Sequence, residues 1–418
     1  MATNSTFRAA GPLQGFTLLS CMTLGVMGVL LVAPVIPQMM EAFKDTPNVE
    51  YWVPLVVTAP ALCVALLSPV AGWLGDRVGR RKLLIPAMAI YSLCGMAPLL
   101  LNDLTHILIS RIGVGIAEAA VMTLSTTMIG DLFDGKSRDK WLAGQTAVAS
   151  TSAVIFLLIA GFAGRFGWQG PFVIYAFPLL LMVAVMLFTW ETKEKKASVT
   201  PEAPHLFADK AHEIPPAPSV TGTGGKVRFP YAFIIFVCAI SLFASLMFYT
   251  VQIQLSVALS ALGVSDPGMI GMMTAIASLA VPLGTFVFWG ASKRLSVPWL
   301  LTVEFAIMGA AYVAMSKAAD PALFVAFAAI SQIGAGMILP TLLTWAMSGL
   351  AFEVRGAGTG VWQSTFAFGQ FACGMVVPFI SGLAGGIIPA FMVLGIASLS
   401  AALLALGSST LVRKPATA

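Results

Sequence analysis

Long stretches almost free of charge alternate with short polar connectors along nearly the whole chain, and within each stretch the apolar positions fall on every side of a helix rather than on one face. Phe177 to Phe188 is apolar throughout. A hydrocarbon core roughly 30 Å thick takes about 20 such residues per helical crossing. The pattern therefore predicts twelve crossings, near 16–38, 52–73, 83–101, 105–129, 140–163, 170–190, 229–259, 268–289, 298–316, 321–349, 357–384 and 387–411. Spanning strands would alternate apolar and polar residues over about ten positions, so the fold class is an all-α membrane protein. Composition agrees: with 58% hydrophobic residues, 10% charged and a mean hydropathy of +0.91, little polar surface is left to face water. The first apolar run exceeds 20 residues and lacks a small-residue cleavage site, which makes it a retained helix rather than a signal peptide.

One interruption differs from the others. Thr192 to Lys226 carries Glu194-Lys195-Lys196, five prolines and Thr221-Gly222-Thr223-Gly224-Gly225, a linker composition that cannot bury a core. It divides the chain into 1–190, a linker at 191–228, and 229–418, with six crossings in each bundle. His205 and His212 within it read as solvated linker residues. The halves also match each other at an offset of 221: Ser110-Arg111-Ile112-Gly113-Val114-Gly115 lines up with Ser331-Gln332-Ile333-Gly334-Ala335-Gly336, Trp141 with Trp362, and Ile159 to Gly164 with Ile380 to Gly385. Six crossings separate the copies, so both run in the same direction. The expectation is two pseudo-symmetric six-helix bundles about an axis along the membrane normal, with a site between them near the midplane.

Charge fixes an orientation. Placing the N terminus inside puts Arg8, Arg77, Arg80, Arg81, Lys82, Lys136, Arg138, Lys140, the cations of 191–228, Lys293, Arg294, Arg355, Arg413 and Lys414 in the cytoplasm. Only Lys44, Arg165 and Lys317 then lie outside, with Arg111 inside a crossing, as the positive-inside rule asks. Both termini are expected to be cytoplasmic, and the net charge of +5 reflects topology rather than a nucleic-acid partner. Cys21, Cys63, Cys94, Cys238 and Cys373 all fall inside crossings, with no metal spacing and no disulfide framework.

Gly72-Trp73-Leu74-Gly75-Asp76-Arg77-Val78-Gly79-Arg80-Arg81, between the second and third crossings, resembles the signature loop G-x-L-x-D-R-x-G-R-R of the major facilitator superfamily. Arg111 to Gly115 in the fourth crossing is similar to that family's second motif, and Gly290-Ala291-Ser292-Lys293-Arg294 resembles a worn second copy of the loop. Twelve crossings, Asp131-Leu132-Phe133 and the Gly334 to Pro340 stretch look most like the drug/proton antiporter group. The chain departs from that group in its fifth crossing, where Ala153-Val154-Ile155 stands in place of a glycine-proline motif. The resemblance implies alternating access, a central cavity lined by crossings 1, 2, 4, 5, 7, 8, 10 and 11, and a conformational latch made of Gly72, Asp76, Arg77, Gly79, Arg80 and Arg81. A plain positive-inside anchor is the other reading of those arginines, but an anchor would not require Asp76 or the glycines.

Two acidic residues, Glu118 and Glu304, lie well within crossings. An ionised group at bilayer depth costs about 2.5–3.5 kcal/mol on insertion scales, so such residues usually face a cavity and work. Arg111 and Glu118 are seven residues apart, on one helical face with about 10 Å between their backbones. Glu118 is the expected site of the coupling proton, with Arg111 setting its proton affinity; a structural pair locking neighbouring helices is the alternative. Glu304 lies in the ninth crossing, a supporting helix in the resembling family, and is expected to be structural. Candidate substrate-binding groups on the cavity-lining crossings are Tyr249, Gln252, Gln332, Trp345, Trp362, Gln363, Phe366 and Gln370. Amides and aromatics without fixed cations suit neutral or lipophilic cationic compounds, although amides also serve as glue between helices. The scattered methionines, Met22, Met27, Met39, Met40 and Met122 among them, read as ordinary packing.

These features predict a proton-coupled secondary transporter exporting amphipathic or drug-like small molecules from a cell membrane, a bacterial inner membrane being the expected one. A proton symporter importing a sugar, organic acid or aromatic nutrient is the alternative. Expected partners are a small-molecule substrate, protons and membrane lipid, with no nucleic acid; a monomer is expected, without cofactor or metal. No catalytic constellation or phosphate-cradling loop points to an enzyme. Gly113-Val114-Gly115 lies inside a membrane helix rather than after a strand, so it is no nucleotide fingerprint.

Overall fold

The computed structural model describes residues 10–191, 229–350 and 352–411, without side chains at some positions near 136–146, 352–357 and 408–411. The linker beyond Glu191 with His205 and His212, together with Arg8, Arg413, Lys414 and the side chains of Lys136 and Arg355, lies outside the described residues. Twelve helical crossings are present: α1 (Pro12–Ala42), α2 (Val49–Val78), α3 (Arg80–Leu99), α4 (Leu104–Leu132), α5 (Gly135–Gly164), α6 (Gly170–Phe188), α7 (Tyr231–Ala261), α8 (Pro267–Ala291), α9 (Val297–Met315), α10 (Pro321–Ser348), α11 (Phe352–Ala384) and α12 (Ile387–Leu411). Leu100, Leu180, Phe286, Leu403 and Leu404 are exposed on the outer surface, where lipid replaces water as the solvent and leaves backbone satisfaction to the helices themselves.

Several ends are fixed by side chains the sequence supplies. Asp103 accepts from the His106 amide at 3.1 Å, Asp320 from the Leu323 amide at 2.8 Å, and Asp266 from the amides of Gly268 and Met269. Each carboxylate satisfies otherwise unpaired donors in a first helical turn. One boundary differs from the sequence expectation. Gly72 to Val78 is still helical, and the chain breaks only at Gly79, whose φ of +111° favours glycine. Asp76 therefore stands in the last turn of α2 rather than beyond the helix end, because the glycines before it cost propensity without breaking the ladder of hydrogen bonds.

The first six crossings form one bundle and the last six the other. The bundles meet at the end of the molecule away from the signature loop. Gly161 of α5 and Gly271 of α8 bring their backbones into direct contact: a Cβ on Gly271 would stand 2.6 Å from the Leu157 carbonyl oxygen and 2.7 Å from Gly161 Cα. Small residues at such crossings let helix backbones approach where lipid gives no hydrophobic drive to associate. At the same end, Gly374 of α11 packs on Thr58 and Pro54 of α2. Arg165, after α5, meets Asp266, before α8, in a two-bonded ion pair at 2.9 and 3.3 Å. Toward the signature loop, α5 and α8 diverge around a crevice of about 190 Å³ lined by Ser150, Thr151, Val154, Ile155, Leu279 and Pro282. The loop-side part of α8 packs on α10 of its own bundle, and Gly360 on the loop side of α11 has nothing within 4 Å of where a Cβ would be. The described state is thus closed at the far end and parted at the loop end.

Candidate functional site

The site begins with a fault in α1. Pro34 and Pro37 lack amide hydrogens, and the helix tightens into a 3-10 turn at Ala33–Val35, with Val32 donating to Val29 at 3.2 Å. That i→i−3 bond draws the Val32 amide toward Val29 and leaves the Gly28 carbonyl short of its helical donor. Arg111 of α4 supplies one at 2.7 Å, and the same Nη2 reaches the Tyr175 hydroxyl of α6, also at 2.7 Å. Tyr175 in turn donates to Gly28 O at 3.3 Å, and the guanidinium lies 4.9 Å over the Tyr175 ring. Arg111 is fully buried, with Nε and Nη1 lacking protein partners. A buried cation held by a carbonyl, a hydroxyl and a ring face has exchanged part of its hydration for fixed dipoles.

Glu118 stands one step along the same face, 8% exposed. Its Oε2 rests against the Gly28 Cα, so close that a Cβ there would come within 2.7 Å, and has no hydrogen-bond partner in the protein. Sequence spacing left open a direct approach of Arg111 to Glu118, but no ion pair joins them among the described residues. Gly28 intervenes, offering its carbonyl to the arginine and its bare Cα to the glutamate. Tyr91 of α3 completes the wall, donating to the Leu24 carbonyl at 2.7 Å, and stands with Tyr175 at a ring separation of 5.7 Å. The carboxyl faces the bundle interior and not lipid, and Tyr249 of α7, in the other bundle, lies within its electrostatic reach.

In the second bundle, Tyr249 packs on Phe366 of α11 at 6.0 Å, and Phe366 on Trp362 at 5.7 Å. Gln252 Nε2 meets Gln332 Oε1 at 3.5 Å, joining α7 to α10, while Gln332 Nε2 is buried without a partner. These residues come together. Trp362 spends its indole N–H on Ser241 of α7 at 2.9 Å, and Gln370 is half-buried farther along α11. Gln363 is exposed, and Trp345 packs edge-on against Phe233 and Phe236 near the loop end, apart from the Tyr249 cluster. Glu304 of α9 accepts from Thr341 of α10 at 2.5 Å and is fully buried where those two helices pack.

In the signature loop, Arg80 bonds Asp76 at 2.9 Å, the Thr127 carbonyl at 3.3 Å and Asp131 at the end of α4. Arg81 reaches the Met186 carbonyl of α6 at 2.7 Å, and Arg77 stacks 4.0 Å over Trp73. Glu191 carries its carboxylate to the amides of Arg81 and Lys82 at 3.3 and 3.2 Å, capping α3. Its charge is satisfied by a helix N-terminus of the first bundle. The partners described for the loop's arginines all belong to that bundle. Sequence reasoning missed Gly28, Tyr91, Tyr175, Glu191 and the Arg165–Asp266 pair. Only Pro34 and Pro37 of α1 could have signalled the first of these, since the rest depend on tertiary placement.

The Major Facilitator Superfamily model matches residues 18–265. Among curated relatives, Multidrug resistance protein 2 of Bacillus subtilis (strain 168) is 32% identical over 171 residues, covering 40% of this chain and 41% of the relative. The Bacillibactin exporter of the same organism is 30% identical over 154 residues, covering 35% and 37%. Tetracycline resistance protein, class B, of Escherichia coli is 26% identical over 180 residues, covering 43% and 45%. The matched stretch thus spans less than half the length of each. Among solved structures, a D-xylose-proton symporter superposes with a TM-score of 0.72 at 15% identity, over 94% of this chain and 96% of that one. A bacterial homolog of the human lysosomal transporter Spinster superposes with 0.73 at 17% identity, over 98% and 100%. At such identities these two show the shared fold. A family model matching more than half the chain, a signature loop at the junction of α2 and α3 and two six-helix bundles closed on each other at one end agree: the chain belongs to the Major Facilitator Superfamily of transporters.

Proposed function

We propose that this chain is a proton-coupled exporter of amphipathic small molecules, lipophilic cations among them, that works by rocking its two bundles about the central site. The observation that carries the reading is the position of Glu118. A buried carboxyl without a protein hydrogen bond, beside a buried arginine and within electrostatic reach of Tyr249, can trade a proton for a cationic substrate between the bundles. Gly28 leaves room for it, and Arg111 bonds the carbonyl of that same glycine. Tyr249, Phe366, Gln252 and Gln332 form the opposite wall, where aromatic faces suit a cation with apolar groups. Opening and closing the far end exposes the site to each side in turn. Asp76 and the loop arginines act as the latch at the other end, on the cytoplasmic side if both termini are cytoplasmic. The curated relatives are named for multidrug resistance, bacillibactin export and tetracycline resistance, which favours export over import.

The test is counterflow of tetraphenylphosphonium in proteoliposomes with an imposed pH gradient and a pH dye inside. Efflux that acidifies the interior supports antiport. Efflux that alkalinises it identifies a symporter and refutes the export reading.

A further inference from the structure

The far-end closure contains a cavity that the central site does not use. About 300 Å³ in volume, it lies where α1 and α2 of one bundle meet α7, α11 and α12 of the other, with Glu50, Tyr51, Gln254 and Ser381 as its polar lining. It has room for about ten water-sized groups at roughly 30 Å³ each. Pro54, Val257 and Pro378 supply apolar walls. Gln254 is 2% exposed, and its Nε2 has no acceptor in the protein. That nitrogen is sealed from the cavity as well as from solvent, which leaves Ser381 in the lining to meet an oxygen of a ligand. No lysine or arginine lines the cavity, so the Glu50 carboxylate is its only formal charge; the nearby Lys44 is engaged by Glu41 at 2.9 Å.

From this geometry we infer that the cavity is a second ligand site, separate from the central one, for a small organic ammonium ion carrying a hydroxyl or ether oxygen. Glu50 faces the cation, the Tyr51 ring offers an apolar, electron-rich side, and the Ser381 hydroxyl in the lining bonds the oxygen. The serine hydroxyl both donates and accepts, so it serves a hydroxyl or an ether oxygen alike. Both bundles build the site, so it exists only while the far end is closed. A cation that fills it holds that end shut, because a ligand shifts an equilibrium by its differential affinity for the two states. The site stands on its own observations and does not depend on Glu118.

Choline is the probe, and its uncharged carbon isostere 3,3-dimethylbutan-1-ol is the control, titrated by calorimetry against the full chain in nanodiscs, where both faces are open. Choline binds and the isostere does not. Glu50→Gln weakens choline by about tenfold, the scale of one unit charge near a protein surface. Gly382→Leu abolishes binding by filling a space where the nearest atom to a Cβ is the Tyr51 hydroxyl at 3.9 Å. Glu118→Gln retains one choline site per chain, which separates this site from the central one. No choline binding to the native chain, equal binding of the isostere, or unchanged affinity in both Glu50→Gln and Gly382→Leu overturns the inference.

Discussion

Gly271→Ala should drive the two bundles apart at the far end without altering any charge or side-chain hydrogen bond. The added methyl would meet the Leu157 carbonyl oxygen at 2.6 Å and Gly161 Cα at 2.7 Å, against the 3.4–4 Å of ordinary contact. Both neighbours are backbone atoms of α5, so no side chain can turn away; the helices themselves must separate by most of an ångström. Overpacking of this kind costs about 1–3 kcal/mol. The cost falls only on the state in which α5 and α8 touch, so it shifts the balance toward the far-end-open state by about 5- to 150-fold. The assay is spin-label distance measurement in a chain freed of its five cysteines, with labels at Lys44 and Lys317 for the far end and at Lys82 and Lys293 for the loop end. The first distance should lengthen and the second shorten in the same molecules. A folded variant in which neither distribution moves would refute the idea that this glycine contact sets the closure. A far end that opens while the loop end stays parted would refute the rocking of rigid bundles.

The Arg165–Asp266 pair is exposed on both sides, and Asp266→Asn should open the far end less than Gly271→Ala does. Hydrogen bonds from Arg165 hold Asp266 below the usual carboxylate value of 3.8. Its contribution to closure is therefore complete above that value and lost only as pH falls through the lowered one. Between about pH 5 and pH 8 this pair is silent; a pH-driven change in the far-end distance over that range that vanished in Asp266→Asn would contradict the assignment. Glu304→Gln keeps an acceptor for Thr341 and should change unfolding stability by no more than about 1 kcal/mol, the scale of hydrogen bonds between membrane helices, with pH-dependent counterflow intact; loss of that dependence would make Glu304 a second proton carrier. Trp362→Phe removes the bond to Ser241 and should lower thermal stability by a similar amount while leaving tetraphenylphosphonium affinity within about twofold; a tenfold affinity loss would place the indole in the substrate wall instead.

The architecture was legible because lipid demands long apolar helices, and runs such as Phe177 to Phe188 leave no other reading. Boundaries slipped where local chemistry was ambiguous. Gly72 and Gly75 suggested an end to α2 that came only at Gly79, since a glycine inside a well-packed helix weakens it without terminating it. The helical period correctly put Arg111 and Glu118 on one buried face. It could not show that a carbonyl freed by prolines in α1 would take the arginine's hydrogen bonds, because that partner lies more than eighty residues away in sequence. Trp345 had the right residue type on the right helix but stands apart from the Tyr249 cluster, since helix identity does not fix depth along the axis. The far-end cavity draws its lining from five helices and the turn between α11 and α12, and left no motif to read.

The central claim is that Glu118 exchanges its proton for substrate, and proton release on binding tests it most directly. Tetraphenylphosphonium is added to the detergent-purified protein in weakly buffered solution with a pH indicator, near neutral pH. The native chain should release about one proton per bound cation, and Glu118→Gln should bind the cation while releasing none. Equal release from the two proteins would contradict the account.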